Sequence, residues 1–229
     1  MERSITDWKR NIVLFLISQA ITMFGSSLVQ FAIVWYVAKT TQSGVMVMLM
    51  TMCGFLPQVL ISIFAGVWAD RHSRKLLIIL SDAGIAIFTL LLAFVVMHTD
   101  NFLWALMVIS ALRSCGAGIQ TPAVNAVIPQ IVPREKLMRI SGINTSVQSI
   151  INLAAPAASG AMLTWSAFHN ILLVDAVTAV IGITILLFVP VKKLLRVKTQ
   201  EGGYFDDLKA GLAYSFGNQF IRQLLCITT

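Results

Sequence analysis

The sequence predicts an all-α integral membrane protein, with six transmembrane helices forming one bundle. Two observations carry that class. Hydrophobic residues make up 57% of the 229-residue chain and charged residues 12%, about half the roughly 25% charged content of a soluble globular domain. Residues Asn11 to Ala38 and Thr40 to Ala69 contain no Asp, Glu, Lys or Arg, and each exceeds the roughly 20 apolar residues that cross a bilayer's hydrocarbon.

Four further spans follow these two, over Leu76 to Met97, Phe102 to Val124, Leu137 to Trp165 and Ile171 to Val189. They are helices, because in lipid every backbone amide must be satisfied within its own segment or in a closed barrel, and the alternating pattern of a barrel is absent. Residues 1–190 thus form the six-helix bundle. Residues 191–217 read as a cytoplasmic linker with an amphipathic segment, Phe205 to Phe216, and residues 218–229 as the truncated start of a seventh helix, since the apolar run from Phe220 is too short to span.

The basic residues orient these spans. Arg3, Lys9 and Arg10 precede the first; Arg71, Arg74 and Lys75 follow the second; Arg134, Lys136 and Arg139 follow the fourth; Lys192, Lys193, Arg196 and Lys198 follow the sixth; only Lys39 falls on the other side. Basic loops stay cytoplasmic, so both termini are expected in the cytoplasm and the protein in the plasma membrane. The net charge of +7 then reflects topology and attraction to anionic headgroups, and no nucleic-acid partner is expected. Trp8, Trp35, Trp68, Trp104 and Trp165 lie at or near the ends of the spans, where amphipathic indoles favour the interface. The first apolar stretch is far longer than a secretory h-region, so it is read as a retained helix.

Enzymatic chemistry finds little support. Cys53, Cys115 and Cys226 have no metal-ligand spacing and are read as packing residues; His72, His98 and His169 fall in loops; neither HExxH nor GxSxG occurs. No nucleotide-binding loop is present, and neither metal nor cofactor is expected. The Asn144-Thr145-Ser146 glycosylation pattern falls inside the fifth span, where no glycan fits.

Polar residues inside the spans are the candidates for function. Arg113 sits near mid-depth of the fourth span, at a cost of roughly 2.5–3.5 kcal/mol on insertion scales. Gly116, Ala117 and Gln120 share its helical face, which reads as turned toward a cavity. The fifth span carries Ser141, Asn144, Thr145, Gln148, Asn152 and Ser159 on one side, and the first carries Gln19, Ser26 and Gln30. Together these faces line a wet path or serve as hydrogen-bonding glue between helices. Asp82 in the third span and Asp175 in the sixth are the acids inside the bundle. Each is either a proton carrier or a structural partner, Asp82 bracing the charged turn near Lys75 and Asp175 lying partly hydrated near the outer end. Arg113 is likewise either functional or a cation paired with a carboxylate.

The turn Gly66-x-x-x-Asp70-Arg71-x-x-Arg74-Lys75 resembles the signature loop of the major facilitator superfamily, with Ser73 where that family usually has a second Gly. Gly142, Ala155-Pro156 and Ser159-Gly160 partly resemble its antiporter motif, in which small residues bring helices close. Arg113-Ser114, Thr121 to Val127, Val132-Pro133 and Gly54 to Pro57 resemble the macrolide-efflux group within it. That resemblance implies a bundle with an inverted three-plus-three repeat, the amino-terminal half of a twelve-helix carrier. It implies proton-coupled efflux of small lipophilic drugs by alternating access, with Gly66, Asp70, Arg71, Arg74 and Lys75 as a cytoplasmic gate and Arg113 in substrate or proton coupling. The glycines at plus three and plus five from Arg113 depart from the usual plus four and plus six. The expected partners are the lipid bilayer, a lipophilic substrate, protons, and a carboxy-terminal half or second copy. The alternatives are a non-transporting or regulatory half-protein, or a six-helix module acting as a homodimer.

Overall fold

The computed structural model describes residues 4–99 and 102–191; the side chains of residues 4–7, 67 and 69–71 are outside that description. The expected linker over 191–217, apart from Val191, and the start of a seventh helix over 218–229 lie outside it too. The described chain is six long helices: α1 Ser4–Thr41, α2 Gly44–Arg71, α3 Arg74–His98, α4 Leu103–Ile131, α5 Leu137–Trp165 and α6 Phe168–Leu187, with a single 3-10 turn at Arg134–Lys136.

The helix ends follow local chemistry. The first break comes later than expected, at Gln42 instead of Lys39: the hydroxyls of Thr40 and Thr41 donate to the carbonyls of Tyr36 and Val37 at 2.8 Å each, holding the last turn of α1 helical, and Gln42 then leaves it at φ 49°. Between α2 and α3, His72 N–H closes the last turn on Trp68 O at 2.9 Å, and Ser73 caps α3. Ser73 has φ −64°, a conformation any L residue adopts, so serine serves this turn without the freedom of glycine. α4 runs past the expected Val124 to Ile131, through Pro122 and Pro129, because lipid offers no alternative partner to a backbone that leaves the helix.

Five of the helices are long and apolar enough to cross a membrane. α5 is the sixth and has the length, 29 residues; Ser141, Asn144, Thr145, Gln148 and Asn152 make it the more polar one. Trp35, Trp104 and Trp165 are exposed at one end of the bundle and Trp68 at the other, the distribution of two interfacial belts.

The helices pack in a self-consistent pattern. α4 lies against α2 and α3, α1 lies against α5 and α6, and α3 lies against α6. Exchanging α1 with α4, α2 with α5 and α3 with α6 maps this set of neighbours onto itself. Two apolar clusters give the helix directions. One gathers Ile12 and Phe15 from the start of α1, Ile78 from the start of α3, Val127 and Ile128 from the end of α4, and Leu186 from the end of α6. The other gathers the opposite ends, with Val37, Leu92, Leu106 and Ile171. α1 and α4 therefore run in opposite senses, and the repeat of three helices is inverted.

Close approaches are set by small residues. A Cβ on Gly118 of α4 would lie 2.7 Å from Gln58 O and 3.2 Å from Gln58 Cα of α2, and one on Gly182 of α6 would lie 3.0 Å from Ser18 O of α1. These glycines bring backbone against side chain and backbone without intervening atoms, which is how helices associate where lipid removes the hydrophobic driving force. α2 and α5 keep large outward faces, including Met52, Phe55, Leu56 and Leu60 on α2 and Ile150 and Leu153 on α5.

Candidate functional site

Between the two apolar clusters lies a polar layer assembled from four helices. α1 contributes Ser18, Gln19 and Thr22; α3 contributes Ser81, Asp82 and Thr89; α4 contributes Ser110, Arg113 and Ser114; α6 contributes Asp175. All are buried. Each comes from the stretch of its helix between the cluster at one end and the cluster at the other, so the layer sits between the two ends of the bundle.

The layer has two tiers. In the first, the Arg113 guanidinium, 4% exposed, forms a buried ion pair with Asp175, 1% exposed. Asp175 also accepts from Ser26 Oγ at 2.9 Å and Thr89 Oγ1 at 2.7 Å, while Arg113 Nη2 donates to Ser26 O at 3.3 Å. Four helices thus meet on one carboxylate. In the second tier, Gln120 Nε2 donates to Asp82 Oδ1. Thr89 follows Asp82 by seven residues and Gln120 follows Arg113 by seven. On helices running in opposite senses, that shared spacing separates the tiers by about 10 Å.

This geometry revises the two acids. Asp175 does not lie hydrated near the outer end: Phe168, Ile171 and Leu172 of α6 are buried in the cluster on that side and separate it from the interface. Asp82 does not brace the charged turn, since its hydrogen bond is to Gln120 and Lys75 Nζ instead donates to Leu187 O at 2.9 Å and Val189 O at 2.8 Å. Arg113 has the carboxylate partner that a paired cation requires. Gly116, expected on a cavity-facing surface, packs on α3, where its Cβ would meet Ile85 Cγ1 at 2.7 Å.

On α1, Gln19 is buried with its Nε2 unpartnered among the described residues. Gln30 Nε2 is also unpartnered and lies over Gly54 of α2, whose Cβ would meet it at 2.2 Å. α5 divides the remaining candidates: Asn144 is buried, Gln148 half-buried and Asn152 exposed. The residues buried on α5 are Asn144, Ile151, Ala155 and Ser159, a stripe set by contact with α1, so the polar side is not one inward face. Of the small-residue motif, a Cβ on Gly160 would lie 3.8 Å from Trp35 Nε1, while one on Gly142 would have nothing within 4 Å. Gly142 therefore serves no helix contact among the described residues. Pro156 lies inside α5, half-buried.

At the charged turn, Gly66 has open space around its Cβ position, and the side chains of Asp70 and Arg71 lie outside the described residues. Arg74 and Lys75 fasten the start of α3 to two helix ends. Arg74 Nη1 donates to Ala126 O near the end of α4 at 2.6 Å, and the Gln130 amide, oriented with its oxygen toward the guanidinium, accepts from Arg74 Nε at 3.2 Å and Nη1 at 2.6 Å. Lys75 covers the last carbonyls at the end of α6. Cations at helix C-termini complement the dipole there.

Sequence reasoning missed Thr89, Ser110 and Ser114. Thr89 was findable, seven residues from Asp82 and on its face. Ser114 plays a part no pattern reveals: one residue past Pro57, which loosens the α2 ladder, Gln58 N–H donates across to Ser114 Oγ at 2.9 Å. Ser114→Ala is expected to leave that amide unpaired at a cost of about 1–3 kcal/mol, read as a lower unfolding temperature of the detergent-solubilised protein. Among the described residues Cys53 and Cys115 are free thiols, and no group of His, Cys, Asp and Glu is arranged to hold a metal.

The chain is similar to Macrolide efflux protein A of Streptococcus pyogenes, 30% identical over 224 residues that cover 97% of this chain and 55% of the relative. It is 32% identical to Macrolide efflux protein A of Enterococcus faecalis over 185 residues, covering 80% of this chain and 57% of that one. It spans about half the length of these relatives. Among solved structures, a peptide transporter POT crystallised with sulfate superposes with a TM-score of 0.66 at 18% identity, covering 94% of this chain and 45% of the other; at that identity the likeness is one of fold. The family model of the Major Facilitator Superfamily matches residues 15–228. That match takes in α1 from Phe15 onward and the whole of the other five helices, and the chain belongs to the Major Facilitator Superfamily.

Proposed function

We propose that this bundle is one half of a secondary active transporter that expels small lipophilic molecules of the macrolide type in exchange for protons, by rocking against a second bundle about a central site. The second bundle comes from a carboxy-terminal half or from a second copy. The observation that carries the reading is the polar layer joining Arg113, Asp175, Asp82 and Gln120 inside a lipid-embedded bundle. Ionisable groups at that depth are costly and mark substrate or ion pathways by default. The similarity to Macrolide efflux protein A over 97% of this chain supports the substrate class.

The protein is a carrier with no enzymatic role, seated in the cytoplasmic membrane with both termini inside. Gly66, Asp70, Arg71, Arg74 and Lys75 form the gate at the cytoplasmic end. The bonds from Arg74 and Lys75 to the ends of α4 and α6 support this, because they tie three helices into one unit there. Gln19, Ser26 and Gln30 of α1 line the path on the inner side and Gln148 of α5 flanks it.

Accumulation of macrolides and lipophilic cationic dyes in efflux-deficient cells separates the readings. The 229-residue chain is expressed alone and with an in-frame carboxy-terminal bundle, with and without an uncoupler. Uncoupler-sensitive loss of accumulation with the chain alone supports a self-assembling six-helix carrier; activity only with the added bundle makes the chain one half of the carrier. No activity in either removes drug efflux.

A further inference from the structure

The two buried acids are not equivalent. Among the described residues the buried ionisable side chains are Arg113, Asp175 and Asp82, one cation against two carboxylates. Asp175 takes the cation and two hydroxyls besides: Arg113 and Thr89 Oγ1 donate to its Oδ2, and Ser26 Oγ donates to its Oδ1. Both oxygens are engaged by donors from three other helices, which is the environment of a carboxylate acting purely as an acceptor. A proton on Asp175 would displace one of these donors and strand the guanidinium.

Asp82 has the opposite surroundings. It is 4% exposed, its Oδ1 accepts from the neutral Gln120 amide, and its Oδ2 is buried with no hydrogen-bond partner among the described residues. α3 packs chiefly against α4 and α6. The charged group α4 offers inside the bundle is Arg113, already bonded to Asp175, and the one α6 offers is Asp175 itself, a like charge. Along α3, Arg74 and Lys75 are bonded to the ends of α4 and α6, and His98 sits at the far end. The second carboxylate is therefore the surplus charge of the layer, and an uncompensated charge in low dielectric is costly enough that binding a proton is the cheaper state.

We propose that Asp82 is the proton-binding carboxylate of this bundle, its Oδ2 the atom that takes and releases the proton, while Asp175 stays the fixed counter-ion of Arg113. A proton arriving from water converts the layer from one net negative charge to none, with no other bond broken: Gln120 Nε2 still donates to Oδ1, which becomes the carbonyl oxygen. The assignment deepens the proton exchange proposed above and rests on that reading for its role in transport, but the protonation itself is measurable without transport.

Infrared difference spectra of the 229-residue chain in lipid vesicles, recorded across a pH titration, provide the test. One protonated-carboxyl stretch of an acid in apolar surroundings, distinct from hydrated carboxyls, is expected to titrate. It is absent in Asp82→Asn, displaced in Asp82→Glu, and moved to higher frequency in Gln120→Leu, where the carbonyl loses its donor. A band that survives Asp82→Asn unchanged, or no such band at any pH, overturns the proposal. If Asp82→Asn does not fold, Asp82→Glu decides: a band at the wild-type frequency in that variant is equally fatal. A chain that shows the band but exports no drug removes the efflux reading and leaves the assignment of Asp82 intact.

Discussion

Asp175→Asn is expected to destabilise the bundle by about 3–5 kcal/mol, the cost of leaving a buried charge without its partner. The loss exceeds that of an ordinary polar contact because Asp175 holds Arg113 of α4, Ser26 of α1 and Thr89 of α3 at once. Asparagine keeps the shape but offers a single acceptor oxygen and no charge. Arg113→Met should cost a similar amount for the mirrored reason. The double variant Arg113→Met with Asp175→Leu separates packing from charge: apolar replacement of a whole buried pair is often neutral or stabilising by about 1–4 kcal/mol. The double variant is therefore expected to fold while transport of any substrate is lost. Thermal unfolding in detergent measures the first effect and accumulation in cells the second. A double variant that transports normally would show that the ion pair is structural alone.

Gly118→Val is expected to force α2 away from α4 and to cost at least the upper end of the roughly 1–3 kcal/mol typical of overpacking. The nearest atoms to the new Cβ are Gln58 O at 2.7 Å and Ile61 Cβ at 3.1 Å. The nearer is backbone and cannot turn aside. The same movement stretches the bond from Gln58 N–H to Ser114 Oγ, so helix position and kink are disturbed together. Gly142→Ala supplies the opposite sign. With nothing within 4 Å of its Cβ, the substitution should stabilise α5 by about 0.5–1 kcal/mol through the helix preference of alanine over glycine. Unfolding temperatures that fall for Gly118→Val and rise slightly for Gly142→Ala check both.

The fold was legible because lipid makes hydrophobicity a direct readout of the chain's path. α5 begins and ends where the sequence indicates, at Leu137 and Trp165, since a basic turn and an interfacial tryptophan mark its ends. The fourth span is expected to end at Val124, but α4 runs on through Pro129 to Ile131, since a bilayer offers no other partner to a backbone that leaves the helix. The site was legible one residue at a time and illegible in its pairings. Arg113 stands out by its cost alone, yet its partner lies 62 positions away, and the depth of Asp175 depends on how α6 registers against α1, which no local pattern encodes. Of the two readings open for Asp82, the brace of the charged turn fails for the same reason. Its distance from Lys75 along the chain suggested a contact, but Lys75 turns to the end of α6 and Asp82 turns to α4. On α5 the polar residues were placed on one face without knowing that α1 alone would cover that helix substantially.

The neighbour pattern that maps onto itself when the two sets of three helices are exchanged bears on vectoriality. A scaffold with that symmetry has no built-in arrow, since turning it over presents the same arrangement of rods to the opposite compartment. Whatever distinguishes the two sides of the membrane in this bundle must come from residues that break the equivalence. Among the described residues one such break is at one end, where Arg74 and Lys75 latch α3 to α4 and α6, while the other end is packed with Val37, Leu92, Leu106, Phe168 and their apolar neighbours. One end is held by bonds from two cations to backbone carbonyls, the other by apolar contacts that carry no charge. The two ends of the bundle are thus told apart by side chains laid over an arrangement of helices that is the same from either side.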